Sequence, residues 1–310
     1  MLAYCPLKMD GRMFHFKRRT LWIIIYITIP LILILNSLGP DPEESVVVDR
    51  QAENTDLRWT MNELAPDCMD GCRLLLDGTD FIRVSALVSS VPAGAEQVPD
   101  RVEMSFSQRA GYAVVRLAFA PTETLESQVI EFLRVLLPQN SSPRWVATGA
   151  VSDRFWTALQ NLNETSIGAG RPIALSEPSA LTVLEAPTFG TSEQLAYLLW
   201  IEVLKQRLAG YQVTVTWDHR RASSLIRMNT TLSADVLYPV TDTEWQPVKD
   251  AYLAAAAQTE RSAEQIHRYL ETSLLYDVPF DFFVRQSARL QQITLSDINQ
   301  SRENTLAQIQ

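Results

Sequence analysis

The stretch "YDVPFDFFVRQSARLQQITLSDI", residues 276–298, decides how the second half of this chain is read. Pro279 breaks one helix, and "PFDFFVRQSARLQQI" opens a shorter one. Thr294-x-x-Asp297 then resembles a capping box for a last helix, with Asp in place of the usual Glu or Gln. Working backwards, one long helix spans roughly 246–276, helped locally by the alanine run at 254–257. "YQVTVTWD" (211–218) and "ASSLIRMNTTL" (222–232) form a hairpin around "HRR". "TSEQLAYLLWIEVLKQRLAG" (191–210) is a helix capped by Thr191 or Ser192 and stopped at Gly210. "LTVLEAP" (181–187) is a strand.

The first half follows a similar plan. "FIRVSALVSS" (81–90) alternates as a strand does. "RVEMSFS" (101–107) and "YAVVRLAF" (112–119) flank a short Gly-containing turn and read as a hairpin. In "PTETLESQVIEFLRVLLP" (121–138) the period changes, and Leu125, Val129, Phe132, Leu133 and Leu136 share one helical face. "RWVATGAVS" (144–152) is another strand. Strands outnumber helical crossovers, which predicts an α+β sandwich, a largely antiparallel sheet with helices on one face.

Charge is unevenly spread. Residues 1–40 carry Lys8, Arg12, Lys17, Arg18 and Arg19 against Asp10, a net +4, while the whole chain carries −9, so the remainder carries −13. An acidic body lacks the basic surface that phosphate contacts need, which excludes nucleic-acid binding. From Thr20 to Pro40 no residue is charged, and this segment is just long enough to cross a bilayer as one helix. "KRR" at 17–19 precedes it, so residues 1–19 are expected in the cytoplasm and the body outside. The rival reading is a cleaved signal peptide ending at Ser37 and Gly39. Residues 41–72 read as a tether, and 73–310 as the folded domain.

The second half resembles the C-terminal half of an insulinase/pitrilysin-type metallopeptidase domain. A strand and helix precede Arg207-Leu-Ala-Gly-Tyr211, a hairpin follows, then a long helix, then the ending quoted above. The resemblance covers residues 180–303 well, and residues 73–160 more weakly. It implies an insulinase-type sandwich. It also implies that Arg207 and Tyr211 grip extended peptide backbone, Arg as a multiple donor and Tyr with one polar end on a rigid ring. Their plain reading is an Arg ending a helix and an ordinary strand aromatic.

The chain departs from that family where the chemistry lies. The family holds zinc with H-x-x-E-H on a helix, two His on one face and a Glu that activates water. Here the only histidines are His15, His219 and His267, and no H-x-x-E-H occurs. The segment where it should lie, "SVPAGAEQVPD" (90–100), reads as a short polar loop. His267 and Glu271 are four apart on one helix, a possible two-ligand face or a solvated flank. Asp218 and His219 are a possible ligand pair or catalytic dyad, or turn chemistry. Cys68 and Cys72, in "CMDGC", read as a small-loop disulfide, with two free thiols or a metal pair as alternatives.

The expectation is a non-catalytic relative of these zinc peptidases with no cofactor of its own. Its expected place is a bacterial inner membrane, single-pass, with a periplasmic body. Its expected partner is an active zinc peptidase subunit, for which it binds substrate peptide or scaffolds the pair, or else it self-associates. The alternatives are an envelope adaptor unrelated to proteolysis, and an enzyme built on Asp218 and His219.

Overall fold

The computed structural model of the chain describes residues 57–69, 71–92, 98–139, 142–168, 170–172, 180–211, 213–219 and 224–309. The expected membrane span at 20–40 lies outside them. Among the described residues no helix is long and apolar enough to cross a membrane.

The strands in chain order are β1 (Trp59–Thr60), β2 (Cys72–Leu75), β3 (Ile82–Val88), β4 (Ser90–Pro92), β5 (Val102–Arg109), β6 (Tyr112–Phe119), β7 (Arg144–Gly149), β8 (Gly170–Pro172), β9 (Thr182–Ala186), β10 (Val215–His219), β11 (Ser224–Met228) and β12 (Glu260–Arg261). The helices are α1 (Glu123–Leu136), α2 (Asp153–Thr165), α3 (Ser192–Arg207), α4 (Asp242–Ala256), α5 (Ala263–Tyr276), α6 (Asp281–Val284), α7 (Gln286–Gln292) and α8 (Leu295–Ile309).

Five strands form the main sheet in the order β2-β7-β3-β6-β5, antiparallel except where β2 runs parallel to β7. The β5–β6 hairpin turns at Ala110-Gly111, both at positive φ (51° and 80°), the backbone that matches the twist of flanking strands. The central strand β3 is buried at all seven positions. Its even-numbered residues Ile82, Val84, Ala86 and Val88 pack with Val115, Leu117, Phe119, Trp145 and Ala147 against Leu133 of α1 and Phe155 and Leu159 of α2. Its other face is covered as well. Leu87, with Val114 and Val146, packs under Ala263, Ile266, Leu270 and Leu274 of α5. The expected one-sided sandwich is therefore corrected: helices cover both faces of this sheet. Arg83, Ser85 and Arg116 alternate with apolar neighbours as solvent-facing residues would, yet they lie beneath α5.

A smaller antiparallel sheet, in the order β10-β11-β9, packs Leu184, Ile226 and Met228 against α3. Helix α3 is buried on most of its circumference, including Leu195, Tyr197, Trp200, Ile201 and Leu204, because α4 and α8 flank it. Thr191 caps it by accepting from the Gln194 N–H at 3.2 Å.

Three further boundaries differ from the sequence reading. The tether expected over 41–72 ends earlier, since β1 pairs with β12 and Met61 is buried. The single long helix is two, because Ser262 and Gln265 form a reciprocal capping box that starts α5 after β12. The short helix after Pro279 is likewise two, α6 and α7. The capping box at Thr294 and Asp297 is present: the Thr294 N–H donates to the Asp297 carboxylate at 2.8 Å, and the Asp297 N–H returns to Thr294 Oγ1 at 3.4 Å.

Candidate functional site

The second face of the main sheet holds a closed polar cluster. Strand register places Ser85 of β3 beside Arg116 of β6, and Thr148 of β7 opposite Arg83. Helix α5 lowers His267 and Glu271, one turn apart, onto these residues. Glu271 Oε2 accepts from Ser85 Oγ at 2.9 Å and from Arg116 Nε at 2.8 Å, and Oε1 accepts from Arg116 Nη2 at 2.6 Å. His267 Nε2 lies 2.8 Å from Ser85 Oγ, and Nδ1 lies 3.0 Å from Thr148 Oγ1. The single Ser85 hydroxyl proton goes to the carboxylate. The network therefore assigns a proton to Nε2, which donates to Ser85, and leaves Nδ1 to accept from Thr148.

Burial sets the charges. Ser85 and Thr148 are 0% exposed, Glu271 2% and His267 4%. Burial pushes the His267 imidazole down to about 3, against the pull of the Glu271 carboxylate, so it stays neutral. Burial alone would raise Glu271, but the Arg116 guanidinium hydrogen-bonded to it holds it below the usual carboxylate range. The cluster is thus an ion pair with a neutral imidazole and two hydroxyls around it. The expected solvated flank at His267 and Glu271 is corrected: the pair lies in the interior.

His219 and Asp218 are not brought together as a dyad. They are neighbours on β10 and project to opposite faces. Asp218 approaches Arg227 at 4.0 Å. The His219 ring lies among Trp217 (5.1 Å between centroids), Phe189 (5.1 Å) and Tyr276 (5.9 Å), with Nδ1 3.1 Å from Ser224 Oγ. Burial lowers it to about 4, with Asp218 opposing, so it too is neutral. His219 ends a strand; it does not sit in a turn.

Arg207 is held within the chain. Nε and Nη2 donate to both carboxylate oxygens of Glu244 at 2.9 and 3.0 Å, and Nη1 donates to the carbonyls of Val236 and Tyr238 at 3.1 and 2.8 Å. Its guanidinium lies 3.7 Å from the Tyr238 ring centroid. The hydrogen bond from Arg207 pulls Glu244 down to about 2. Tyr211 closes the short 3₁₀ turn Ala209–Tyr211 that leads from α3 towards β10. Cys68 and Cys72 are joined as a disulfide at the entry to β2.

No family model matches the sequence, and no curated protein matches it. Solved structures do. The inactive domain of an M16 peptidase from Pseudomonas fluorescens superposes with a TM-score of 0.53 at 9% identity, covering 78% of this chain and 94% of that one. The first half of the periplasmic protease PqqL from Escherichia coli gives 0.52 at 10% identity, covering 81% and 91%. Against a longer solved chain of PqqL the score is 0.50 at 12% identity, covering 87% of this chain and 47% of that one. The chain has the fold of an M16 peptidase domain. At these identities the likeness is one of fold alone.

The residues do not fit the zinc that an M16 peptidase fold suggests. A tetrahedral site needs three protein ligands with free lone pairs. In the buried cluster one imidazole lone pair is taken by Thr148, and the one carboxylate is neutralised by Arg116. Among the described residues no group of three His, Cys, Asp or Glu side chains could hold a metal ion. The same cluster cannot act as a nucleophilic triad. Ser85 is sealed from solvent and gives its proton to Glu271 instead of His267, the reverse of what an activated serine requires.

Sequence reasoning found His267 and Glu271 as a pair but missed Ser85, Thr148 and Arg116. The signal was Arg83-x-Ser85 and Arg116 inside strands whose other face is apolar. Such positions read as solvent-facing until a second helical layer is known to cover them.

Proposed function

We propose that this chain is a non-catalytic M16-fold protein that serves as a substrate-binding or scaffolding partner of an active zinc peptidase. One observation carries the reading: the fold is present, while all 310 residues lack the H-x-x-E-H that the fold's peptidases use. The solved domain from Pseudomonas fluorescens, itself an inactive M16 domain, is a precedent for the fold without the chemistry. The proposal places the protein in a bacterial inner membrane through residues 20–40, with the body in the periplasm. The cysteine pair at 68 and 72 accords with an oxidising compartment. Peptide contact by Arg207 and Tyr211 is part of this proposal, and it requires Arg207 to exchange some of its internal bonds for peptide carbonyls.

The test is a mild-detergent pull-down of the tagged full-length chain, with the eluate assayed for zinc and peptide hydrolysis. Zinc and activity arriving with a second polypeptide support the reading. A lone, inert protein contradicts it.

A second reading, an envelope adaptor unrelated to proteolysis, is favoured by the internal bonds of Arg207. It expects no peptidase partner. It also expects Tyr211→Phe to change nothing and Arg207→Ala to cost stability but no binding.

A further inference from the structure

The two cysteines of the Cys68–Cys72 disulfide stand in opposite surroundings. Cys68 is exposed, between exposed Asp67 and Met69, the latter 92% exposed. Cys72 is 1% exposed and belongs to the apolar cluster of Val146, Leu270 and Leu274 beneath α5. Thiol–disulfide exchange runs through three sulfurs in a line, so the attacking thiolate enters from the side of one sulfur opposite its bonded neighbour. For Cys68 that approach leads in from its exposed side. For Cys72 it would have to cross the packed core.

The fold does not need the bond. Just outside it, Asp67 and Arg73 exchange both backbone hydrogen bonds, at 2.9 and 2.6 Å. Cys72–Leu75 is fixed by its pairing with β7. The turn is seated on that strand as well. Gly71 has a φ of 119°, and a Cβ there would lie 2.7 Å from the Trp145 carbonyl oxygen and 3.2 Å from Cη2 of Trp156. A bridge between positions only four apart also removes little freedom from the unfolded chain. The same contacts keep Cys72 beside Cys68 when the bond is open. The pair therefore combines an accessible sulfur, a dispensable bond and a thiol placed to re-form it.

We propose that Cys68–Cys72 is a thiol–disulfide exchange site that oxidises dithiols. One thiolate of the dithiol attacks Cys68 Sγ. The bond between the two cysteines breaks with its electron pair on Cys72, which takes a proton from water. This leaves a mixed disulfide on Cys68. The second thiol of the dithiol, once deprotonated, attacks the dithiol's own sulfur in that bond and expels the Cys68 thiolate, which is protonated in turn. Two electrons and two protons pass to the pair, and the dithiol leaves as a disulfide. A monothiol does not complete the sequence. Cys72, at the high effective concentration that the turn imposes, expels it from Cys68 and restores the bridge. The inference does not depend on the function proposed above.

The test uses the full-length chain in mild detergent with Cys5→Ser, which leaves this pair as the only cysteines. Dithiothreitol, a small dithiol, is the probe. It is expected to open the bridge in the native protein within about tenfold of its rate in the urea-unfolded protein, with circular dichroism unchanged. In single-cysteine variants, hydroxyethyl disulfide is expected to label Cys68 in Cys72→Ser roughly a hundredfold faster than Cys72 in Cys68→Ser. The reduced pair, given the same reagent, is expected to return to the closed bridge with no adduct retained. Three results overturn the proposal: opening only on unfolding, equal labelling of the two single cysteines, or a stable adduct on the intact pair. The comparison of native with unfolded protein decides even if the variants misfold.

Discussion

The two faces of the main sheet are built from the same strands and closed by opposite means. Under α1 and α2 the contact is apolar apart from the buried indole N–H of Trp145, with Leu133, Phe155 and Leu159 against Val84, Ala86 and Val115. Under α5 a rim of Ile266, Leu270 and Leu274 surrounds an Arg–Glu ion pair, a neutral imidazole and two hydroxyls. Dispersion and water release hold the first face, and it tolerates any well-fitting apolar side chain. The second face adds to its apolar rim a cluster that tolerates no missing partner, since a buried charge left alone costs far more than the pair contributes. A polar cluster of His, Glu and Ser on an M16-like fold therefore signals a clamp here, and catalytic meaning has to be earned by access and proton direction.

The largest effect expected from breaking this contrast is at the ion pair. Arg116→Met or Glu271→Leu alone is expected to cost about 3–5 kcal/mol, because each strands the other charge. The double variant regains most of that loss in chemical denaturation. On the apolar face Leu159→Ala is expected to cost about 3 kcal/mol, and to add to Leu133→Ala when the two sites relax independently. Equal additivity on both faces would erase the distinction.

Acid sharpens it further. His267 is held near 3 in the folded chain, below its unfolded value of about 6.5. A base with a depressed folded value favours folding above the unfolded value. That stability is lost as pH falls from about 6.5 towards 3, by about 1.4 kcal/mol per pH unit. His219, lowered to about 4, adds a loss of the same sign that ends earlier. The slope of stability against pH in this window is expected to flatten in His267→Gln.

Away from the main sheet the effects are smaller. Arg207→Ala is expected to cost about 2 kcal/mol by freeing Glu244 and the carbonyls of Val236 and Tyr238, while Tyr211→Phe stays near wild type in thermal melts. Gln308→Ala, which opens the β9 edge, is expected to cost about 1 kcal/mol or less.

Most of the second half was legible in the sequence because its signals are local. Thr191, Pro279 and the Thr294–Asp297 box each act within a few residues, and each sits where its local rule places it, as Gly111 does in the first half. Helix α2 went unread, though Ser152 caps it by accepting from the Phe155 N–H at 3.1 Å and Phe155, Leu159 and Leu162 share its buried side. The break at Ser262 was hidden by the alanine run before it, which favours continuing the helix. The covering of the second sheet face was not legible. It depends on a helix some 180 residues from Ser85 in sequence, and polar residues at alternate strand positions look the same under water as under α5.

The most direct measurement is the zinc content of the purified full-length chain after dialysis against zinc. The account predicts well under one zinc per chain, because His267 and Glu271 are already saturated by Thr148, Ser85 and Arg116. One tightly held zinc per chain, lost in His267→Gln, would contradict it.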